Sequence, residues 1–212
     1  MHFSIRSLAL ALGLGALAVS SPVQAEPPDA DVARIVAAGH SLDWTWTPPG
    51  RNDHFGHGET LVHAPIDAVR RVILDFGKYK DLPDNSIKTS RVVSRTPDGS
   101  TDVYFQINVL NDILKLWNVT RFAPLRRAPD GAEVVEGKMV PGKGNVDDAA
   151  LVWTLRAVGP EWTLLKADAL LRPSLPAPQS ILDRELRQSA VNSVNSVRDQ
   201  LQGVKGLMPF SG

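Results

Sequence analysis

The 212-residue sequence contains no cysteine, so neither a disulfide framework nor thiol chemistry is open to it. It shows no surplus of basic charge either, with 23 Lys and Arg against 23 Asp and Glu. Nucleic-acid binders normally carry a clear basic excess, and that class is set aside. Only one long apolar run occurs, the uncharged stretch Leu8 to Val19, of 12 residues. A bilayer span needs roughly 20, which makes this run too short for an anchor. No Gly-x-Ser-x-Gly elbow is present, which removes one common signature of a serine nucleophile.

What is present begins with that run. His2 and Arg6 precede it, and Val23-Gln24-Ala25 offers small residues at the two positions a signal peptidase reads. Residues 1–25 therefore read as a secretory signal peptide cleaved after Ala25. The mature chain would carry one more acidic than basic residue, since Arg6 is the only charge removed. With no cysteine to accept a lipid at the cleavage point, a soluble periplasmic or secreted protein is expected. The remaining length suffices for the core of one domain.

Residues 26–56 read as an N-terminal extension. Asp29 to Ala38 makes a short helix closed by Gly39, and SLDWTWTPPGRNDHFGHG follows as an irregular segment that wraps the domain. Residues 57–203 read as the domain itself, and 204–212 as a loose tail. Gly58 to Ala64 forms a first strand. HAPIDAVRRVILDFGKYKDLPD then places Pro65 at a helix start and Asp67 in its first turn. Ile66, Val69, Ile73 and Phe76 share one face, and Gly77 ends the helix. From residue 88 to 172, strands alternate with Pro-Asp-Gly, Leu-Asn-Asp and Gly-Pro turns, the pattern of an antiparallel meander. A long helix closes the chain from about Ser180 to Gln202, with Leu182, Leu186, Ala190, Val194, Val197 and Leu201 on its apolar stripe. The fold class is α+β, with a curved antiparallel sheet gripping a long C-terminal helix and short helices after the first strand.

This order of elements, with ETLVHAPIDAVRRVILDFGKYKDLPD, resembles the START-like or SRPBCC superfamily, the helix-grip fold. Within it, the coenzyme Q-binding and polyketide cyclase/dehydrase branch is the nearest pattern. The resemblance spans about residues 58–202 and implies a cavity between sheet and helix for a hydrophobic small molecule. It also implies a monomer, with transient contact to a membrane when the ligand is exchanged.

Strand parity names the residues that would line such a cavity. Phe105 and Ile107 face inward from one strand, and Leu116, Asn118 and Thr120 from the next. Trp153 and Leu155, then Ala167 and Ala169, complete the sheet face, while Leu186, Ala190 and Val194 face it from the helix. These are the candidate ligand-binding residues. Asn118 and Thr120 supply the few polar groups expected of a small-molecule site. Read without a ligand, the same rows fill a solid core, with Asn118 hydrogen-bonded to backbone. Ser189, Ser193 and Ser196 form a polar strip beside the helix stripe, which reads as solvated rather than as pocket wall.

Three other patterns carry less. Gly137 to Lys143 has the spacing of a phosphate loop, but Gly144 replaces the Ser or Thr that would hold magnesium and no helix follows, so it reads as a turn between strands. His54, His57 and His63 lie near the first strand with Glu59, but surface and core histidines are far commoner than ligands, and no metal or cofactor is expected. Asp147-Asp148 read as solvated loop carboxylates. No inward strand row contains a His, Asp, Glu or Lys, so no catalytic residue is assigned. Carriage of a lipid, sterol-like or isoprenoid compound is the leading expectation. A cyclase/dehydrase-type enzyme on a polyketide-like substrate and a ligandless protein docking through Trp44 and Trp46 are the alternatives. Export is tested by N-terminal sequencing of the protein from a periplasmic fraction: a start at or within a few residues of Glu26 is expected, and full-length protein held in the inner membrane would contradict it.

Overall fold

The structure is a computed structural model describing residues 29–83, 86–109, 113–174 and 176–203. The expected signal peptide and the C-terminal tail lie outside the described residues. Helix α1 (Ala30–Ala38) is followed by strands β1 (Leu42–Trp46) and β2 (Phe55–Val62), helix α2 (Ile66–Leu74) and a 3-10 turn over Phe76–Asp81. Then come β3 (Ile87–Arg95), β4 (Thr101–Val109), β5 (Leu114–Phe122), the two-residue β6 (Arg126–Arg127), β7 (Glu133–Gly144), β8 (Val146–Gly159), β9 (Trp162–Pro173) and helix α3 (Gln179–Gln202).

The strands form one sheet in the order β1-β2-β9-β8-β7-β5-β4-β3, with β6 paired to β7, and the neighbours run antiparallel. The meander accounts for most of this order, since consecutive strands joined by tight turns pair with each other. Strand β2 instead pairs with β9, the last strand, while β3 sits at the opposite edge. Helix α2 and the 3-10 turn carry the chain from β2 to that far edge. Val69, Ile73, Phe76 and Tyr79 are buried along that path, and the Tyr79 hydroxyl donates to the Ile73 carbonyl at 2.5 Å.

Several boundaries differ from the expected ones, the first strand among them, which runs Phe55–Val62 rather than Gly58 to Ala64. Helix α2 ends at Leu74 rather than at Gly77, because the chain tightens into the 3-10 turn that turns both Phe76 and Tyr79 inward. The glycine-rich stretch at 137–144 is not a turn but part of β7. Gly137 lies under Phe122, where an added Cβ would come within 2.5 Å of the ring, and Gly142, with φ 72°, occupies an irregularity in the β5–β7 pairing. The segment read as irregular contains β1. Trp44 pairs with His57 across β1–β2, and their rings stack at 4.0 Å. Leu42, Trp44 and Trp46 alternate along the strand, a period-2 pattern that the neighbouring prolines and glycines obscured.

The two faces of β2 are both covered, which is why all eight of its residues are buried. Gly56, Gly58, Thr60 and Val62 turn toward α3. His57, Glu59 and Leu61 turn to the convex side, where Leu61 and Leu164 pack against Val32 and Ile35 of α1. Helix α1 is capped as its sequence indicates, with the Asp29 carboxylate accepting from the Asp31 and Val32 amides and Gly39 at φ 70°. Ser41, between α1 and β1, ties the extension to the C-terminal helix, its Oγ standing 2.8 Å from Thr60 Oγ1 and 2.6 Å from Asn195 Oδ1.

Candidate functional site

Helix α3 lies across the concave face, and its two halves meet the sheet differently. Toward its C-terminus, Val194 and Val197 pack into a continuous core with Val62, Trp153, Leu155, Leu165 and Ala167. Toward its N-terminus the helix roofs a cavity of about 440 Å³ whose other walls come from β3, β4, β5, β8 and β9. That volume falls within the ordinary range of small-molecule sites.

The asymmetry has a local cause. A Cβ added at Gly56 would lie 2.1 Å from the Leu186 carbonyl oxygen, and one at Gly58 would lie 2.6 Å from the Ala190 carbonyl group. The helix backbone thus rests directly on β2 at these two glycines. Their partners on β9, Ala169 and Ala167, are also small. The strands that wall the cavity lie beyond β2 in the sheet order, on the flank where no such backbone contact holds the helix down.

Strand parity places the inward rows correctly. Phe105, Leu116, Asn118, Thr120, Trp153, Leu155, Ala167 and Ala169 are all buried. They do not all meet the cavity, however. Phe105, Ile107, Leu116, Asn118, Thr120, Ala169 and Leu186 line it. Trp153, Leu155, Ala167, Ala190 and Val194 do not. Ala190 sits against Gly58, and the other four belong to the packed core. Parity cannot separate the two groups, because it gives the face of a residue and not its position along the helix. Phe105 borders both regions, stacking on Tyr79 at 5.9 Å and meeting Phe122 edge-on at 6.1 Å.

The cavity also contains residues that the sequence reading passed over. Ser189 and Ser193, expected to be solvated, line it together with Ile181, Leu182, Glu185 and Asn192. Ser196 is 1% exposed, its hydroxyl near the Pro83 carbonyl and the Asn192 carbonyl rather than water. The signal was the spacing itself, since Leu182, Glu185, Ser189 and Asn192 recur at 3, 4 and 3 residues on one helix face. Glu185 is the charged group that an inspection of strand rows alone could not find. Asn118 accepts from the Thr120 hydroxyl at 3.1 Å instead of bonding to backbone.

Solved structures with this arrangement include a STAR-related lipid transfer protein from Xanthomonas axonopodis, 18% identical with a TM-score of 0.63, the match covering 76% of this chain and 93% of that one. Human StAR-related lipid transfer protein 5 aligns at 13% identity and TM-score 0.62, over 77% and 82% of the two chains. The Zhui aromatase/cyclase from Streptomyces aligns at 16% and 0.54, over 69% and 92%. The chain has the START-like, helix-grip fold. No protein-family model and no curated protein matches it.

In this fold the histidines weighed as metal ligands are engaged separately. His54 Nδ1 lies 2.8 Å from Asp183 of α3, and His63 stacks on Trp162 at 4.5 Å. His57 is buried on the convex face, with Nδ1 donating to Asp168 Oδ1 at 2.8 Å and Nε2 3.5 Å from Glu59 Oε2. Glu59, fully buried, also meets Arg34 of α1 at 3.0 Å and Lys166 of β9 at 3.6 Å. Trp46 Nε1 donates to the same Asp168 oxygen at 2.7 Å. Asp147 and Asp148 are engaged as well, with Ser174 and Arg51 respectively. The contacts of Arg34, Trp46, Arg51 and His54 fasten the extension to the sheet and to α3, away from the cavity.

Burial opposes the charged form of His57, but the hydrogen bonds to Asp168 and Glu59 outweigh it and raise the imidazole pKa above its ordinary value. A raised folded-state pKa gives stability that is full below the ordinary value of about 6.5 and lost as pH rises through the higher one. The carboxylates act in a separate, acidic window. Asp29, for example, is lowered to about 2 by its hydrogen bond from Arg156, and its contribution is lost only as pH falls toward that value. Melting curves of wild type and His57→Gln from about pH 6 to pH 9 should therefore converge as pH rises, because the wild type loses stability that the variant never had. Parallel pH profiles would contradict this assignment.

Proposed function

We propose that this protein is exported and that its cavity holds a hydrophobic small molecule, a lipid, sterol-like or isoprenoid compound, for carriage or sequestration. The observation that carries the reading is the cavity itself: largely apolar walls of Phe105, Ile107, Leu116, Leu151, Leu182 and Leu186 around a small number of polar groups. Each CH₂ removed from water contributes about 0.8 kcal/mol, so a cavity of this size supplies a real driving force for apolar cargo. Two of the neighbours with this fold are named as lipid transfer proteins, which accords with the reading. A cyclase-type reaction would need groups to move protons. Among the described lining residues Glu185 is the one ionisable group, with its side chain 34% exposed and 3.2 Å from Arg184, which favours carriage over chemistry.

The test contrasts two alanines on one strand. Ala169→Trp should fill the cavity and abolish uptake of a fluorescent apolar probe at little cost in stability. Ala167→Trp, in the packed core, should destabilise by about 1–3 kcal/mol or more. A wild type that binds no apolar probe, or an Ala169→Trp variant that binds as the wild type does, would remove the proposal.

A further inference from the structure

The charge around the cavity restricts what it can hold. No Lys, Arg or His is found among its described lining residues, and the one charged group there is the carboxylate of Glu185. An anionic head brought into this space would lose its water and find no cation in the lining, beside a Glu185 carboxylate that Arg184, at 3.2 Å, offsets only from outside the cavity. Desolvating an unpaired ion costs far more than one neutral hydrogen bond returns. Phosphate and carboxylate heads are thus poorly matched to it.

The polar groups on the helix side are partly spent on each other. Gln188 Nε2 donates to Asn192 Oδ1 at 2.7 Å, and the Ser193 hydroxyl donates to the Ser189 carbonyl at 2.7 Å. The sheet side differs. Asn118 is 2% exposed and Thr120 4%, and both face the cavity among apolar neighbours, Phe105 and Leu116. The Thr120 hydroxyl satisfies Asn118 Oδ1, while the Asn118 Nδ2 group has no hydrogen-bond partner among the described residues. That amide nitrogen borders the cavity with a donor to offer, and an acceptor on a guest can meet it. A neutral hydroxyl or carbonyl oxygen does so without the penalty of burying charge.

Resting on the reading that the cavity binds a ligand, we propose that its ligand class is uncharged: an apolar body bearing a hydroxyl or carbonyl oxygen that accepts from Asn118 Nδ2. On this proposal Asn118 and Thr120 select the head, and Glu185 turns anionic lipids away.

Three probes that share one chain separate these effects: dodecane, dodecanol and dodecanoate, each displacing the neutral dye phenylnaphthylamine from the full chain at about pH 8, where free carboxylic acids are ionised. Dodecanol should bind at least about 10-fold more tightly than dodecanoate. Asn118→Leu should weaken dodecanol by about 3- to 10-fold, the worth of one neutral hydrogen bond, and leave dodecane unchanged. Thr120→Val, a smaller change, should shift dodecanol in the same direction, and Glu185→Gln should recover part of the dodecanoate affinity. Dodecanoate binding as tightly as dodecanol would overturn the proposal. So would Asn118→Leu and Thr120→Val variants that bind dodecanol as the wild type does, or that weaken dodecane as much as dodecanol. If neither the dye nor any of the three probes binds the wild type, the carrier reading itself fails and this one with it.

Discussion

The close approach of α3 to β2 is the contact on which the rest of the architecture depends. A helix normally stands about 10 Å from the surface it covers because side chains intervene. At Gly56 and Gly58 none do, and the helix backbone between Leu186 and Ala190 sits on the strand backbone. One flank of the helix is thereby pinned to β2, the strand next to the β1 edge. Core side chains such as Trp153 and Leu165 fill the space under its C-terminal half, and the space under its N-terminal half stays open. The cavity follows from where the helix is anchored, and not from a lack of apolar residues to fill it.

A second constraint is the separation of charge from the cavity. Alternation along β2 sends glycines, Thr60 and Val62 to the concave side and His57 and Glu59 to the convex side. There α1 and β1 supply Arg34, Asp31, Trp44 and Trp46 as partners. Buried charges of this kind are tolerated only when paired, and removing one partner from such a cluster strands the others. The N-terminal extension therefore does more than shield an edge: it completes a polar network that would otherwise lie open on the sheet. The concave side is left nearly free of charge, which suits it to an apolar guest.

Much of this was legible in the sequence. The 3.6-residue period of the two main helices, the turn chemistry of the meander and the parity of its strands gave the fold class and the inward rows. Three kinds of information were not. The position of Trp153 and Val194 in solid core, against Ile107 and Leu116 in cavity wall, depends on where a helix lies over a sheet, which no local pattern records. The role of Gly56 and Gly58 is a tertiary one, visible only when the helix backbone is found above them. The strand at Leu42–Trp46 was hidden because Pro48, Pro49 and Gly50 dominate its surroundings and its pairing partner lies in the next strand, not in a turn signal. Glu185 and Ser189 were missed for a related reason: a polar residue beside an apolar stripe is solvated in most proteins, and only the open space beneath this helix makes it a wall.

That the glycine contact holds the helix and so shapes the cavity is tested by Gly58→Ala measured against Gly77→Ala in chemical denaturation. Gly77 has nothing within 4 Å of an added Cβ, so its variant should be as stable as the wild type or slightly more so. Gly58→Ala places a methyl group 2.6 Å from the Ala190 carbonyl group and should cost about 1–3 kcal/mol or more, because backbone on both sides must move. Equal stability of the two variants would show that α3 does not rest on β2 in this way.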